Sequence, residues 1–137
     1  MLTNEPIPHI EQVRVDGLKP YPKRARKHPT RKLQMLIASV RDVGLINPII
    51  TDGDGTILSG HLRVEAFHTL GLEHIPAVRA AHLTKSQKAA FVLAANRLPE
   101  TGTWDQSILK LEFELLIDAG GTLDLSTTGF EIGEIDL

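Results

Sequence analysis

Two short apolar runs separated by a glycine-rich turn limit the fold of this chain more than any other stretch. The runs cover residues 48–51 and 56–59, and Asp52-Gly53-Asp54-Gly55 lies between them. Such runs favour strands, and alternating aspartate and glycine favours a tight reversal, so the stretch predicts a β-hairpin. The two aspartates also resemble part of a calcium loop, but the downstream glutamate of such a loop is missing at the required spacing.

The rest of the chain alternates strand and helix signals around this hairpin. Further strands are predicted at 10–15 and 75–80. The spacing of apolar residues predicts one helix between Leu33 and Gly44 and a second after Gly60. A capping box at Thr84-Lys85-Ser86-Gln87 and an N-cap at Asp105 predict the starts of two more. This order predicts an α+β fold, with a small mixed β-sheet of about four strands packed with helices.

Composition excludes several classes of protein. The chain has 137 residues, 42% of them hydrophobic and 23% charged, which suits one domain with a modest core. With no cysteine there is no disulfide framework, no thiolate chemistry and no cysteine zinc site. The six histidines are scattered, so no dedicated metal site is predicted. No apolar run is long enough to span a membrane, and we expect a cytoplasmic location.

Charge is distributed unevenly although the net charge is only −2. Residues 14–32 carry eight basic side chains and one acid, whereas residues 96–137 carry nine acids and two basic side chains. This asymmetry favours one face for polyanions, although a solvated basic loop gives the same pattern. The candidates for contact with a DNA backbone are Lys23, Arg24, Lys27 and Arg31.

The stretch 57–63 predicts an anion site. A short strand runs into Ser59-Gly60, and a helix then begins with His61 and Arg63 in its first turn. The first N–H groups of a helix lack internal partners and carry partial positive charge, and an arginine can add a forked cationic donor. A plain helix cap with a surface arginine is the alternative. His61 is open to three roles: phosphate donor, proton carrier or polar cap.

Four segments in order resemble the ParB/sulfiredoxin superfamily, specifically the ParB N-terminal-like domain. The resemblance covers roughly residues 13–97 and continues less closely to residue 130. The matching segments are Leu18–Pro22 with Ala25–His28, Gly44–Ile49, Ile57–Arg63 with Ala66, and Leu83–Arg97.

The resemblance implies a nucleotide site. Gly60 and Arg63 match the phosphate-gripping motif that holds CTP in ParB and ATP in sulfiredoxin, and Asn96 matches the asparagine that helps ParB hold metal and triphosphate. Asn47 falls where the family often has a glutamine beside the nucleotide. The expected cofactor is therefore a nucleoside triphosphate with Mg²⁺. The expected binding residues are Gly60, His61, Arg63, Arg26, His28, Asn47 and Asn96.

The departures from the family pattern are as informative as the matches. Sulfiredoxin uses a cysteine in the turn that here reads Gly60-His61-Leu62-Arg63, so its activity is excluded. Ala95 replaces the acid that precedes the matched asparagine, which removes a metal carboxylate. No clear helix-turn-helix follows Arg97.

The sequence therefore favours a DNA-associated ParB-like domain that binds a nucleotide or DNA phosphate, in a family that serves chromosome or plasmid partition. One alternative is a nuclease or phosphotransferase with His61 or His28 as its catalytic proton carrier, and another is a non-catalytic adaptor. We expect an N-terminal extension at 1–12, the ParB-like domain at 13–100 and a C-terminal helical extension at 101–137, whose abrupt acidic end suggests a chain cut from a longer protein. The extension resembles a phage and mobile-element subgroup that often neighbours a DNA methyltransferase.

Overall fold

The computed structural model describes residues 9–22, 30–44, 46–119 and 125–130. Within these residues lie four strands and four α-helices. The strands are β1 (Ile10–Arg14), β2 (Ile49–Thr51), β3 (Ile57–Ser59) and β4 (His74–Arg79). The helices are α1 (Thr30–Val43), α2 (His61–Thr69), α3 (Lys85–Arg97) and α4 (Gln106–Asp118). Short 3-10 turns lie at Val15–Gly17, Leu98–Thr101 and Leu125–Thr128.

The four strands form one mixed sheet in the order β1-β4-β2-β3. β4 pairs antiparallel with β1 and parallel with β2, and β2 pairs antiparallel with β3. The parallel pair requires a crossover, and α2 supplies it between β3 and β4. The predicted α+β fold with a small mixed sheet is confirmed.

The core lies where α1 and α2 meet the sheet. Val40 of α1 and Phe67 of α2 cluster with Ile49 and Ile75 of the central strands. On β3, Ile57 and Leu58 point to opposite faces yet are both buried, so this strand is covered on both sides. α3 contacts β3. The end of β3, where the chain enters α2, is therefore packed on both faces.

The local signals at the element ends are largely confirmed. The hairpin forms, and the capping box at Thr84 and Gln87 has both of its hydrogen bonds. The Asp105 side chain accepts the Ile108 N–H, as expected of an N-cap. The first strand ends at Arg14 rather than at residue 15, because the chain then tightens into a 3-10 turn.

The apolar stripe of α4 is largely exposed rather than packed in a core. Ile108, Leu111 and Leu115 are each more than half exposed, whereas Phe113 is buried. Phe113 is buried because it packs edge-on against the ring of Phe130. No helix in the described part of the chain has the length and apolar character needed to cross a membrane.

Asp52 ties the hairpin turn to α3. One carboxylate oxygen accepts the N–H groups of Asp54 and Thr56, each at 2.9 Å, and the other lies 3.1 Å from the Lys88 ammonium. Burial alone would raise the pKa of this carboxyl, but the hydrogen bonds from Thr56, Lys88 and Asp54 hold the pKa below its usual value. The carboxylate is therefore charged, buried and paired in the folded protein.

Lys88→Met is expected to lower the free energy of unfolding by about 1–3 kcal/mol, because it leaves a buried carboxylate short of a charged donor. The folded-state pKa of Asp52 is lower than its unfolded value, so the stabilisation is present at neutral pH and is lost progressively below about pH 5. Urea unfolding of both proteins at pH 7 and pH 3.5 measures this difference. Lys85→Met, which changes an exposed lysine on the same helix, is the control. An equal effect of the two substitutions at pH 7 would contradict the assigned role.

Candidate functional site

α2 begins at a glycine in the left-handed backbone region. Gly60 has φ 103° and ψ 24°, and no side chain caps the helix. The Gly60 carbonyl accepts the Val64 N–H, which leaves the preceding N–H groups of the first turn without intrahelical partners. These N–H groups and the helix dipole favour an anion at this end.

Gly60 also lets the backbone pack closely against the core. A Cβ atom at this position would lie 2.6 Å from Cγ2 of Ile49, which is fully buried. The same Cβ would lie 3.2 Å from Nη1 of Arg63. The guanidinium of Arg63 is therefore folded back toward the start of its own helix, beside the first N–H groups.

Arg63 is half-buried and has no ion pair with any described carboxylate. Burial lowers the pKa of its guanidinium below the usual value. A guanidinium so rarely loses its proton that the group remains cationic at neutral pH. A partly desolvated cation without a counter-charge is stabilised when an anion binds beside it.

His61 links the start of α2 to Tyr21, within the basic stretch at residues 14–32. Its Nε2 accepts the Tyr21 N–H at 2.9 Å. An imidazole nitrogen that accepts a hydrogen bond is unprotonated, so this contact uses the neutral ring with its proton on Nδ1. A proton-carrying role through Nε2 would require this bond to break, so the geometry favours a role in which His61 ties Tyr21 to the start of α2.

These groups line a pocket of about 490 Å³. Its walls come from four parts of the chain: Lys32 and Ser39 of α1, residues 58–63, Ala95 and Asn96 near the end of α3, and residues 127–129. The volume falls within the range of about 300–1,000 Å³ that is usual for small-molecule and cofactor sites.

The structure brings four of the expected binding residues together. Gly60, His61, Arg63 and Asn96 all line the pocket. Asn47 is exposed just before β2 and is not part of the lining. Arg31 is exposed in the first turn of α1. The other expected residues lie outside the described part of the chain: Arg26, His28, Lys23, Arg24 and Lys27.

Asn96 is held by its own helix. Its Nδ2 donates to the Val92 carbonyl at 2.9 Å, which fixes the side-chain amide at the pocket wall. Ala95 lies beside it in the lining, so the replaced acid leaves a methyl group facing this space. The wall at this point has an amide but no carboxylate.

Sequence reasoning missed two parts of the lining. Lys32, Leu36 and Ser39 follow helical spacing on one face of α1, and that spacing could have marked a polar edge beside the apolar stripe. Thr127 and Thr128 carried no comparable signal. They reach the pocket only because the chain returns to α1 after α4.

The ParB N-terminal domain matches residues 3–97. The ParB-like nuclease domain-containing protein YnaK of Escherichia coli is 37% identical over 71 residues, which span 52% of this chain and 82% of that protein.

Two solved structures share the fold. One is the C-terminally truncated chromosome-partitioning protein ParB from Caulobacter crescentus, complexed with CTP-gamma-S. It has a TM-score of 0.76 and 18% identity, over 93% of this chain and 74% of that one. The other is sulfiredoxin from Arabidopsis thaliana, with a TM-score of 0.51 and 28% identity, over 62% of this chain and 98% of that one. Because the domain match spans most of the chain and the similarity covers most of YnaK, this chain belongs to the ParB N-terminal domain family.

Proposed function

We propose that this chain is a DNA-associated ParB-like domain that binds the phosphates of a nucleotide where α2 begins, between Gly60 and Arg63. The observation that carries the proposal is the half-buried Arg63, which has no described acidic partner and lies beside an uncapped helix start. The Caulobacter ParB that shares the fold was solved with CTP-gamma-S, which makes CTP the first nucleotide to test. Because nucleotides and DNA are the ligands proposed, we also propose a cytoplasmic location.

Phosphate recognition follows from three groups in the pocket. The first-turn N–H groups of α2 donate to phosphate oxygens, and Arg63 adds a forked, charged donor. The Asn96 amide lies on the wall formed by the end of α3. Together these groups offer donors and positive charge but, among the described lining residues, no carboxylate that would repel a phosphate.

The described lining does not fit a magnesium site held by the protein. Mg²⁺ prefers carboxylate and phosphate oxygens, and the described wall offers an amide and hydroxyl groups beside Ala95. Magnesium, where present, would be carried by the phosphates of the nucleotide.

Thermal unfolding with CTP, ATP, ADP and cytidine, each with and without Mg²⁺, tests the proposal. A ligand that binds only the folded protein stabilises it by about 2.7 kcal/mol at one hundred times its Kd. We expect at least one nucleotide to raise the melting temperature and cytidine, which lacks phosphate, to leave it unchanged. No shift with any nucleotide at millimolar concentration, or an equal shift with cytidine, would overturn the proposal.

The enzymatic alternative depends on His61. Because Nε2 of this residue already accepts the Tyr21 N–H, we favour binding over hydrolysis. Plasmid nicking by the wild type that disappears in His61→Ala would favour the nuclease instead.

Contact with DNA is the second part of the proposal. If Arg31 touches a DNA phosphate, Arg31→Ala should reduce the slope of log K against log salt by about 1 for duplex DNA. Lys110→Ala, which removes an exposed charge from α4, should leave the slope unchanged. Fluorescence anisotropy at salt concentrations of roughly 50–300 mM measures the slope for each variant. A salt-independent affinity in the wild type would remove the DNA-backbone role.

The resemblance of the C-terminal region to the mobile-element subgroup makes a neighbouring DNA methyltransferase the partner we propose.

A further inference from the structure

One wall of the pocket comes from beyond the matched family domain. The family match ends at residue 97, yet Thr127, Thr128 and Gly129 line the same space as Gly60 and Arg63. This segment packs against α1, which supplies the adjoining wall through Lys32 and Ser39. The C-terminal part of the chain therefore helps to shape the pocket.

Three aromatic rings pack together next to this wall. The ring of Phe130 lies 4.9 Å from that of Trp104 and 5.3 Å from that of Phe113, edge-on in both pairs. Phe113 is buried on α4, and Trp104 is the only tryptophan in the chain. Edge-to-face geometry at this distance is favourable. We name these three residues the aromatic cluster.

The hydroxyl of Thr128 connects the cluster to the wall. It donates to the Leu125 carbonyl at 2.7 Å and accepts the Phe130 N–H at 3.3 Å. Phe130 is thus joined through the backbone and this hydroxyl to the turn that carries Thr127. A displacement of the Phe130 ring would move the pocket wall as well.

We propose that the aromatic cluster positions residues 127–129 as a wall of the nucleotide site, so that nucleotide affinity depends on the chain beyond the family domain. This inference rests on the proposed function and deepens it. A wall that is already in place need not be ordered when the ligand binds, and preorganisation of this kind raises affinity. Phe130 is accordingly a positioning residue, which acts through Thr127 and Thr128.

Calorimetric titration of CTP and ATP into the full chain tests this role. Phe130→Ala should weaken the binding of whichever nucleotide the wild type binds by about tenfold, because it removes two ring contacts. Phe130→Tyr keeps the ring and should restore wild-type affinity. Leu115→Ala, which truncates an exposed residue of α4 outside the aromatic cluster, should change nothing. Thr128→Val alters an exposed residue without removing core atoms, and it should weaken binding several-fold even if Phe130→Ala fails to fold.

The fluorescence of Trp104 provides a second measurement, which would not change if Phe130 had only a structural role. Its emission should change as nucleotide is added and saturate with the calorimetric Kd, and the change should be absent in Phe130→Ala. Wild-type affinity in folded Phe130→Ala or Thr128→Val would overturn the inference while leaving the proposed function intact. If the wild type binds neither nucleotide, the proposed function and this inference fall together.

Discussion

Arg63→Met should strongly weaken nucleotide binding without lowering the melting temperature of the free protein. The guanidinium is half-buried and has no described counter-charge, so replacing it with an apolar side chain removes a desolvation cost and no described ion pair. In the complex, however, it supplies charged hydrogen bonds to phosphate, and their loss should weaken binding on the order of 100-fold. The substitution should therefore maintain or raise the stability of the free protein while it lowers nucleotide affinity.

Arg63→Lys separates charge from geometry. Lysine keeps the positive charge but cannot donate in a fork to two phosphate oxygens. We expect an affinity between those of the wild type and Arg63→Met, measured by calorimetry alongside thermal unfolding without ligand. A loss of stability in Arg63→Met with unchanged affinity would show that Arg63 supports the fold and not the ligand.

Gly60→Ala should be the most destabilising single substitution in the site. Alanine at this position would be strained by the positive φ, and its Cβ would lie 2.6 Å from Cγ2 of the buried Ile49. Together these costs lower the free energy of unfolding by about 2–5 kcal/mol. Because the Cβ would also lie 3.2 Å from Nη1 of Arg63, nucleotide affinity should fall in the protein that remains folded.

Gly71→Ala is the matched control at the other end of α2. Gly71 has φ 73°, but nothing lies within 4 Å of a Cβ built there. This substitution should cost only about 1–2 kcal/mol of backbone strain and leave nucleotide affinity unchanged. Urea unfolding and calorimetry on both variants make the comparison. Equal destabilisation by the two substitutions would contradict the close packing described at Gly60.

Local signals predicted the elements well because each one acts within a few residues. Asp52 and the glycines around it specify the hairpin turn, and Thr84 with Gln87 specifies the start of α3. The site between β3 and α2 was predictable for the same reason: its glycine, its arginine and its helix start are adjacent in sequence.

The remainder of the site depends on contacts between distant parts of the chain. Nothing in the sequence around Tyr21 indicates that its N–H binds His61, forty residues away. Thr127 and Thr128 reach the pocket because the chain returns to α1 after α4, and the neighbouring Phe130 packs on Trp104 and Phe113. The exposure of Leu115 was equally hidden, since helical spacing shows that a stripe is apolar but not whether anything covers it.

A crystal structure of the chain grown with CTP tests the central claim most directly. The account predicts phosphate oxygens within hydrogen-bond distance of the first N–H groups of α2 and of the Arg63 guanidinium. Nucleotide bound elsewhere, with its phosphates away from residues 60–63, would contradict it.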